Sequence, residues 1–188
     1  MIKNIAIFAS GEGTNAQTII DYFKSSQKIK IALVVSNKST ANVLNRAKNN
    51  NIATLVIDRN GFYESNNVIE VLKNANIDLI VLAGFLWMIP ENLVKAFPNK
   101  IVNIHPALLP KFGGKGMYGM NVHKAVIEAK EKESGISIHF VNEHYDEGKI
   151  IAQYKCEVSE NDTAEDLAKK IQLLEYNHFS KTIETLLS

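Results

Sequence analysis

Two polar side chains, Asn103 and His105, stand two residues apart at the end of a short apolar run that predicts a β-strand. Because side chains alternate along a strand, both face the same side, and Pro106 keeps the backbone of His105 extended. A hydrogen-bonding amide is thus paired with a ring that titrates near neutral pH, a combination suited to proton transfer. Taken alone, such a pair is more often a capping asparagine beside a structural histidine.

A glycine-rich turn over residues 10–16 joins the first predicted strand to the first predicted helix and fits the pattern G-x-G-x-x-A. Glycines allow a tight turn, and the N–H groups at a helix N-terminus attract an anion such as phosphate. A simple turn capped by Thr14 or Asn15 explains the pattern equally well. NAD would need an acidic residue near the end of the second strand, where the chain has Lys38, so an NADP oxidoreductase is a weaker alternative.

The elements that position these residues alternate between strand and helix patterns up to residue 104. Strands are predicted at residues 5–9, 31–35, 54–57, 79–83 and 101–104. Apolar residues at helical spacing predict helices over 16–23 and 68–75, and Pro90 followed by Glu91 predicts a helix that runs towards Phe97.

The pattern changes after residue 104. A glycine-rich stretch, residues 111–119, is interpreted as a lid or a plain loop, and its spacing is not that of a Walker loop. A helix is predicted over 122–132, strands at 136–141 and 150–158, and a long final helix with a capping box of Asp162 and Glu165. The predicted fold class is α/β: a doubly wound, Rossmann-like, mostly parallel sheet with a late antiparallel strand addition.

The composition of the 188 residues narrows the function classes. A net charge of +1 and 46% hydrophobic residues are typical of one soluble domain, here spanning 1–188, and give no basic face for nucleic acid or membrane. Only Arg46 and Arg59 are arginines, so bound anions are expected to rest mostly on lysines, backbone N–H groups or amides. The single Cys156 argues against disulfides and a cysteine zinc site and favours the cytoplasm, and no histidine spacing predicts a metal.

Five segments, in the same order along the chain, resemble those of the folate-dependent formyltransferases. They are Gly-Thr-Asn at 13–15, Val-Leu-Ala-Gly-Phe at 81–85, Asn-Ile-His-Pro-Ala-Leu-Leu-Pro at 103–110, Ser-Ile-His-Phe-Val at 137–141 and Asp-Glu-Gly at 146–148. Together they cover nearly the whole chain, and the length is similar to that of the single-domain members that act on 5-phosphoribosylglycinamide. Members that act on methionyl-tRNA or hydrolyse formyltetrahydrofolate carry an extra domain.

The resemblance implies that a formyl group passes from 10-formyltetrahydrofolate, a co-substrate, to the amine of 5-phosphoribosylglycinamide in purine (IMP) biosynthesis. In that reaction His105 would move the proton and Asn103 would donate to the oxyanion, while Asp146 would orient His105 and favour its protonated form. Asp146 would otherwise be taken for a turn residue, and His139 is given only a secondary place near the site. The implied substrate-binding residues are Gly13, Thr14, Asn15 and Glu175. The resemblance implies that about residues 1–100 bind the phosphate and the substrate. It implies that about residues 101–188 contain the catalytic signature, the folate loop and the C-terminal helix.

The resemblance also implies a folate site built from two segments and Asn103. Its residues are Leu86, Trp87, Met88, Ile89, Asn103, Asn142, Glu143, His144, Tyr145 and Asp146. The chain departs from the family at Trp87, where many members have arginine, and near Gly61, close to another common arginine. Lysines are expected to hold the glutamate tail of the folate, or the tail stays in solvent. A formyltransferase for another amine and a non-catalytic nucleotide-binding α/β domain stay open as alternatives, as does the choice between monomer and homodimer.

Overall fold

The strands and helices were located in a computed structural model that describes residues 2–188. The strands are β1 Lys3–Phe8, β2 Ile29–Ser36, β3 Ala53–Val56, β4 Ile77–Leu82, β5 Ile101–His105, β6 Glu133–Phe140 and β7 Ile150–Glu157. The helices are α1 Thr14–Phe23, α2 Asn42–Asn49, α3 Arg59–Tyr63, α4 Asn67–Asn74, α5 Glu91–Ala96, α6 Met120–Glu128 and α7 Ala164–Leu187.

The strands follow the order β3-β2-β1-β4-β5-β6-β7 in one sheet. β1 pairs in parallel with both β2 and β4, and β2 pairs in parallel with β3. β6 and β7 are antiparallel, with Ser134 opposite Cys156 and Ile136 opposite Tyr154. The prediction of a mostly parallel sheet with a late antiparallel addition is therefore confirmed.

The chain forms two compact units, which are described separately: one runs up to Val102 and includes Leu186–Ser188, and the other is Asn103–Thr185. In the first unit the four successive residues Ile5, Ala6, Ile7 and Phe8 of β1 are all fully buried. Burial on both faces is typical of a parallel strand covered by helices. The buried side of α1 is the predicted stripe of Ala16, Ile19, Ile20 and Phe23, and each fully buried isoleucine or phenylalanine stabilises the fold by about 1.5–3 kcal/mol.

Two short helices of the first unit, α2 and α3, are absent from the sequence prediction. α2 buries Val43, Leu44 and Ala47 but is otherwise made of asparagine, arginine and lysine, and asparagine is a weak helix former. α3 has five residues and begins after Asp58, whose side chain accepts the Gly61 N–H. Helices this short and polar are stabilised mainly by tertiary contacts, which periodicity in the sequence does not reveal.

In the second unit, α7 begins one residue away from the predicted position. Thr163, rather than Asp162, caps the helix: the Asp166 N–H donates to the Thr163 hydroxyl, and the Asp166 carboxylate accepts from Thr163. Asp162 instead accepts from the Ser159 N–H and pairs with Lys170. The predicted capping box of Asp162 and Glu165 is therefore wrong.

Another predicted boundary in this unit is also wrong. α6 ends at Glu128 rather than at residue 132, because Lys130 has a positive φ of 52°, which a continuing right-handed helix cannot contain.

The described residues were also searched for membrane spans and metal sites. None of the helices in residues 2–188 is both long and apolar enough to cross a membrane. In the same residues, no group of three or more His, Cys, Asp or Glu side chains is arranged to hold a metal ion. Cys156 is a free, half-buried thiol on β7.

Candidate active site

Asn103, His105 and Asp146 converge in the second unit. Asn103 and His105 lie two residues apart near the end of β5, and Asp146 lies in the loop between β6 and β7. The Asp146 carboxylate spans both partners, with Oδ2 3.5 Å from His105 Nδ1 and Oδ1 3.5 Å from Asn103 Nδ2. His105 is only 3% exposed, whereas Asn103 and Asp146 are half-buried, so the polar edge of the cluster is the part that a ligand can reach.

The tautomer of the neutral His105 ring is set by the backbone of Phe112. His105 Nε2 lies 2.8 Å from the Phe112 carbonyl oxygen, which can only accept, so Nε2 must carry a hydrogen. The neutral ring therefore has its lone pair on Nδ1, the nitrogen that faces Asp146. Nδ1 is the one ring atom able to take up and release a proton without breaking this contact.

Opposing effects act on the pKa of His105. Burial lowers the pKa, while the negative charge of Asp146 and the Phe112 carbonyl raise it and the neighbouring His139 lowers it slightly. The result is a pKa below the ordinary histidine value. Asp146 thus favours the protonated ring as expected, but burial outweighs that effect.

Asp146 is held as an anion by its surroundings. Burial raises the pKa of its carboxyl, but the interaction with His139, the positive charge of His105 when that ring is protonated, and the hydrogen bond from the Gly114 N–H together bring the pKa below the ordinary value. The Gly114 N–H donates to Oδ2 at 3.0 Å. Asp146 also has a positive φ of 57°, a left-handed conformation that aspartate and asparagine adopt more often than most other side chains.

Residues 112–114 belong to the stretch interpreted from sequence as a lid or a plain loop, and they contact both ionisable groups of the cluster. Phe112 has a positive φ of 55°, which costs an L-residue about 1–2 kcal/mol, and in this conformation its carbonyl meets His105. A Cβ on Gly113 would lie 2.5 Å from Leu109 Cδ2 and 3.3 Å from Asp146 Cβ, so a larger residue would require the buried Leu109 side chain to shift. The glycines of the stretch were the available sequence signal, but their contacts with side chains distant in sequence were not.

The predicted phosphate turn lies in the first unit. Gly13 has a left-handed φ of 70° and precedes α1, so Thr14 and Asn15 are the first two residues of that helix. Gly13, the N-cap residue of α1, has no side chain that could cap the helix, and the first N–H groups of a helix have no partner within it. The turn can therefore present backbone N–H groups to an anion.

Helix α2, which was not predicted, braces this turn. The Val43 N–H donates to the Gly11 carbonyl at 3.1 Å, and Arg46 Nε donates to the Glu12 carbonyl at 2.7 Å. A Cβ on Gly13 would lie 2.5 Å from Val43 Cγ2 and 2.9 Å from the Val43 Cα. Gly13 is thus required both by its backbone conformation and by the close approach of α2.

The predicted folate segment at residues 86–89 follows β4 in the first unit. Its start is fixed by the buried Ser10, whose hydroxyl accepts the Leu86 N–H at 2.9 Å. Leu86 is 46% exposed, whereas Ile89 is 4% exposed and belongs to the core. The Met88 carbonyl accepts the Tyr63 hydroxyl at 3.0 Å.

Trp87, at the position where the chain departs from the family pattern, lies in an aromatic cluster with Phe62, Tyr63 and Phe85. The Arg59 guanidinium lies 5.5 Å from the centre of the Trp87 ring, within the range of a cation–π interaction. Arg59 is exposed and is two residues from Gly61. The segment thus has an arginine cation beside it, close to the position where the family commonly has another arginine.

The other predicted residues lie in the second unit. Glu143, His144 and Tyr145 are exposed in the β6–β7 loop, and the Asn142 side chain accepts the His144 N–H at 3.0 Å. Glu175 is half-buried on α7. His139, on β6, is 2% exposed, and its Nε2 lies 3.1 Å from Asn103 Nδ2. Its Nε2 also lies 3.6 Å from Asp146 Oδ1, so His139, for which only a secondary place was predicted, lies beside two of the three central residues.

Comparison with known proteins shows the family of the chain. The family model described as formyl transferase matches residues 3–183. The chain belongs to the formyl transferase family. This formyl transferase is 44% identical over 176 residues to the chloroplastic phosphoribosylglycinamide formyltransferase of Arabidopsis thaliana, covering 90% of this chain. It spans only 60% of the length of that plant relative.

Two bacterial relatives match over most of both chains. The phosphoribosylglycinamide formyltransferase of Haemophilus influenzae is 39% identical, with 97% of this chain and 86% of the relative covered. The crystal structure of phosphoribosylglycinamide formyltransferase from Bacillus halodurans superimposes with a TM-score of 0.89 at 39% identity, covering 99% of this chain and 96% of that one. The formyl transferase fold assigned from the sequence is thus found in experimental structures.

Proposed function

We propose that this formyl transferase moves the formyl group of 10-formyltetrahydrofolate to the amine of 5-phosphoribosylglycinamide, a step of purine biosynthesis. The observation that carries the proposal is the meeting of an amide, a titratable ring and a carboxylate, with Asp146 within 3.5 Å of both Asn103 and His105. A module that only binds nucleotides has no need for such a convergence. The identities with the named relatives support the same substrates.

The chemistry begins with attack of the amine nitrogen on the formyl carbon. The C=O bond becomes a C–O⁻ bond, and an N–H of Asn103 donates to this oxygen, a contribution typically worth about 10²- to 10³-fold in rate. The amine nitrogen, now positively charged, gives a proton to His105. The same proton then passes to the folate nitrogen, the bond from that nitrogen to the formyl carbon breaks, and the C=O bond reforms.

Nδ1 of His105 is the atom to which we assign this proton transfer, because Nε2 is already bonded to the Phe112 carbonyl. The lowered pKa of His105 leaves the ring neutral at neutral pH, so that it is ready to accept a proton. Once the ring is protonated, the carboxylate of Asp146, 3.5 Å away, stabilises it. Asp146 thus makes the transient imidazolium less costly.

For the two substrates, we assign binding roles on both units. Gly13, Thr14 and Asn15 would hold the phosphate of the amine substrate through backbone N–H groups and polar side chains, and Glu175 would contact its glycinamide part. The folate would lie against residues 86–89 and 142–146. Arg59 on Trp87 would meet the carboxylates of its glutamate tail.

The proposal is tested by incubating the purified protein with both substrates and following the folate absorbance, with the formylated product identified by mass spectrometry. We expect turnover that requires both substrates. Other amines, including a sugar nucleotide with a free amine and charged methionyl-tRNA, are assayed in parallel. Transfer to one of these and not to 5-phosphoribosylglycinamide would reject the substrate, and NADPH binding without transfer would favour an oxidoreductase.

A further inference from the structure

His139 is a buried histidine with no part in the proposed proton transfer. It lies on β6 and is 2% exposed, so a polar ring has been placed where an apolar side chain would be expected. Both ring nitrogens have partners: Nδ1 lies 2.8 Å from the Phe140 carbonyl oxygen, and Nε2 lies 3.1 Å from Nδ2 of Asn103 and 3.6 Å from Oδ1 of Asp146, the latter beyond hydrogen-bond distance. These contacts determine what the ring can do.

The Phe140 carbonyl fixes the tautomer of His139. A carbonyl oxygen has no hydrogen to donate, so Nδ1 carries the hydrogen, and Nε2 of the neutral ring presents a lone pair. A lone pair needs a donor. The Asn103 amide supplies one through its NH₂ group, at an ordinary hydrogen-bond distance.

The same contact fixes the orientation of the Asn103 amide. If the amide were rotated by 180°, its oxygen would face the lone pair of His139 Nε2 and also Oδ1 of Asp146, which lies 3.5 Å from the present Nδ2 position. The amide oxygen, an acceptor, would then face two other acceptors and would have no hydrogen bond to either. In the observed orientation one N–H is bound to His139, and the second, with only the long contact to Asp146, is left for a reacting oxygen.

We propose that His139 is a positioning residue that holds the Asn103 amide with its N–H groups, and not its carbonyl, directed into the reaction site. The inference rests on the proposed function of Asn103 as the donor to the oxyanion. Without the lone pair of His139, only the long contact to Asp146 orients the Asn103 amide, which then spends part of its time with its oxygen directed at the reaction site. The lost hydrogen bond from Asn103 destabilises the transition state, in which the oxygen is negative, more than it weakens substrate binding.

A double-mutant cycle with the full chain tests this role. His139→Ala is expected to lower kcat about 10-fold, with KM for both substrates changed less than about 2-fold. His139→Gln, whose side-chain oxygen can replace the Nε2 lone pair, should recover most of the loss. In an Asn103→Ala background, His139→Ala should have no further effect on kcat, because the group it positions is gone. Melting temperatures of all variants, with His178→Ala as a control, report any loss of folding.

Additive losses in the cycle, or no recovery by His139→Gln, would overturn the inference even if the enzyme transfers formyl groups as proposed. A measurement that needs no activity is the ¹⁵N NMR spectrum of the histidine rings. It should show His139 protonated on Nδ1 alone, with an Nε2 signal that shifts in Asn103→Ala. A ring protonated on Nε2 would refute the positioning role directly. A wild-type protein without formyl transfer but with these signals would refute only the proposed function.

Discussion

The turn at residues 11–15 and the cluster around His105 are built from different chemical groups. The turn presents main-chain N–H groups, and its shape depends on Gly13 and on bracing by α2. The cluster is made of the side chains of Asn103, His105, His139 and Asp146, held in turn by the main chain of residues 112–114. The turn therefore offers main-chain groups to a ligand. The cluster offers side chains, which main-chain groups hold in place.

This difference predicts different sensitivities. An anion site made of main-chain N–H groups has no titrating group, so pH should change anion binding only through the charge of the ligand. The substitution that should weaken binding there is one that adds a Cβ to a glycine. A buried side-chain cluster depends on protonation and on single atoms, so replacing one atom should affect rate more than binding. The predictions below separate the two regions by whether kcat or KM changes.

The largest effect is expected for His105→Asn. Without a group that accepts and returns the proton, kcat should fall about 10²- to 10⁴-fold, while KM for both substrates stays within a few-fold. Steady-state assays with both substrates measure this. His178→Asn, which changes a histidine that stacks on Tyr154 at 3.7 Å between ring centres, serves as the matched control and should keep normal turnover. Normal kcat in His105→Asn would remove His105 from the mechanism.

The next largest effect is expected for Asp146→Asn. The side chain keeps its size but loses the charge that raises the pKa of His105, so that pKa falls further. Because the neutral ring is the base, the acid limb of the kcat/KM profile should move to lower pH, while kcat falls on the order of 100-fold as the imidazolium loses its partner. A pH profile of both variant and wild type measures the shift. An acid limb displaced to higher pH would show that another group titrates.

The fold and the central residues could be predicted because the signals lie close together in the sequence. Buried parallel strands appear as continuous apolar runs, and Asn103 and His105 are two residues apart on one strand. Asp146 lies 41 residues after His105 in the sequence, and only the resemblance to a family predicted that it belongs to the same site. By its own sequence, Asp146 is a turn residue.

The supporting contacts could not be predicted, for a physical reason. The carbonyl of Phe112, the N–H of Gly114 and the bracing of Gly11 by Val43 are main-chain contacts, which leave no side-chain signature in the sequence. The cation–π pair of Arg59 and Trp87 depends on how α3 is placed, and α3 itself was missed. Sequence patterns therefore predicted the side chains that meet in the cluster better than the main-chain groups that contact them.

For the backbone site, Gly13→Ala should weaken binding without disabling chemistry. The left-handed φ costs an alanine about 1–2 kcal/mol, and the contact with Val43 adds to this, so KM for the phosphate-bearing substrate should rise about 10-fold or more. The kcat at saturation should change much less. Gly61→Ala is the matched control, because a Cβ there meets nothing closer than 3.5 Å. An unchanged KM in Gly13→Ala would place the phosphate elsewhere.

The smallest effect is expected for Arg59→Gln. This variant tests whether a side chain of the first unit, which also contains the turn at residues 11–15, binds the folate. An ion pair between an exposed guanidinium and a carboxylate contributes about 0.2–1 kcal/mol, so KM for the folate should rise by up to about 5-fold while kcat stays unchanged. The effect should vanish with a folate analogue that lacks the glutamate tail, because the guanidinium then has no carboxylate to meet. Lys73→Gln, which removes a cation from α4, is the control for net charge. If both variants weaken folate binding equally, long-range charge is responsible, and Arg59 makes no specific contact.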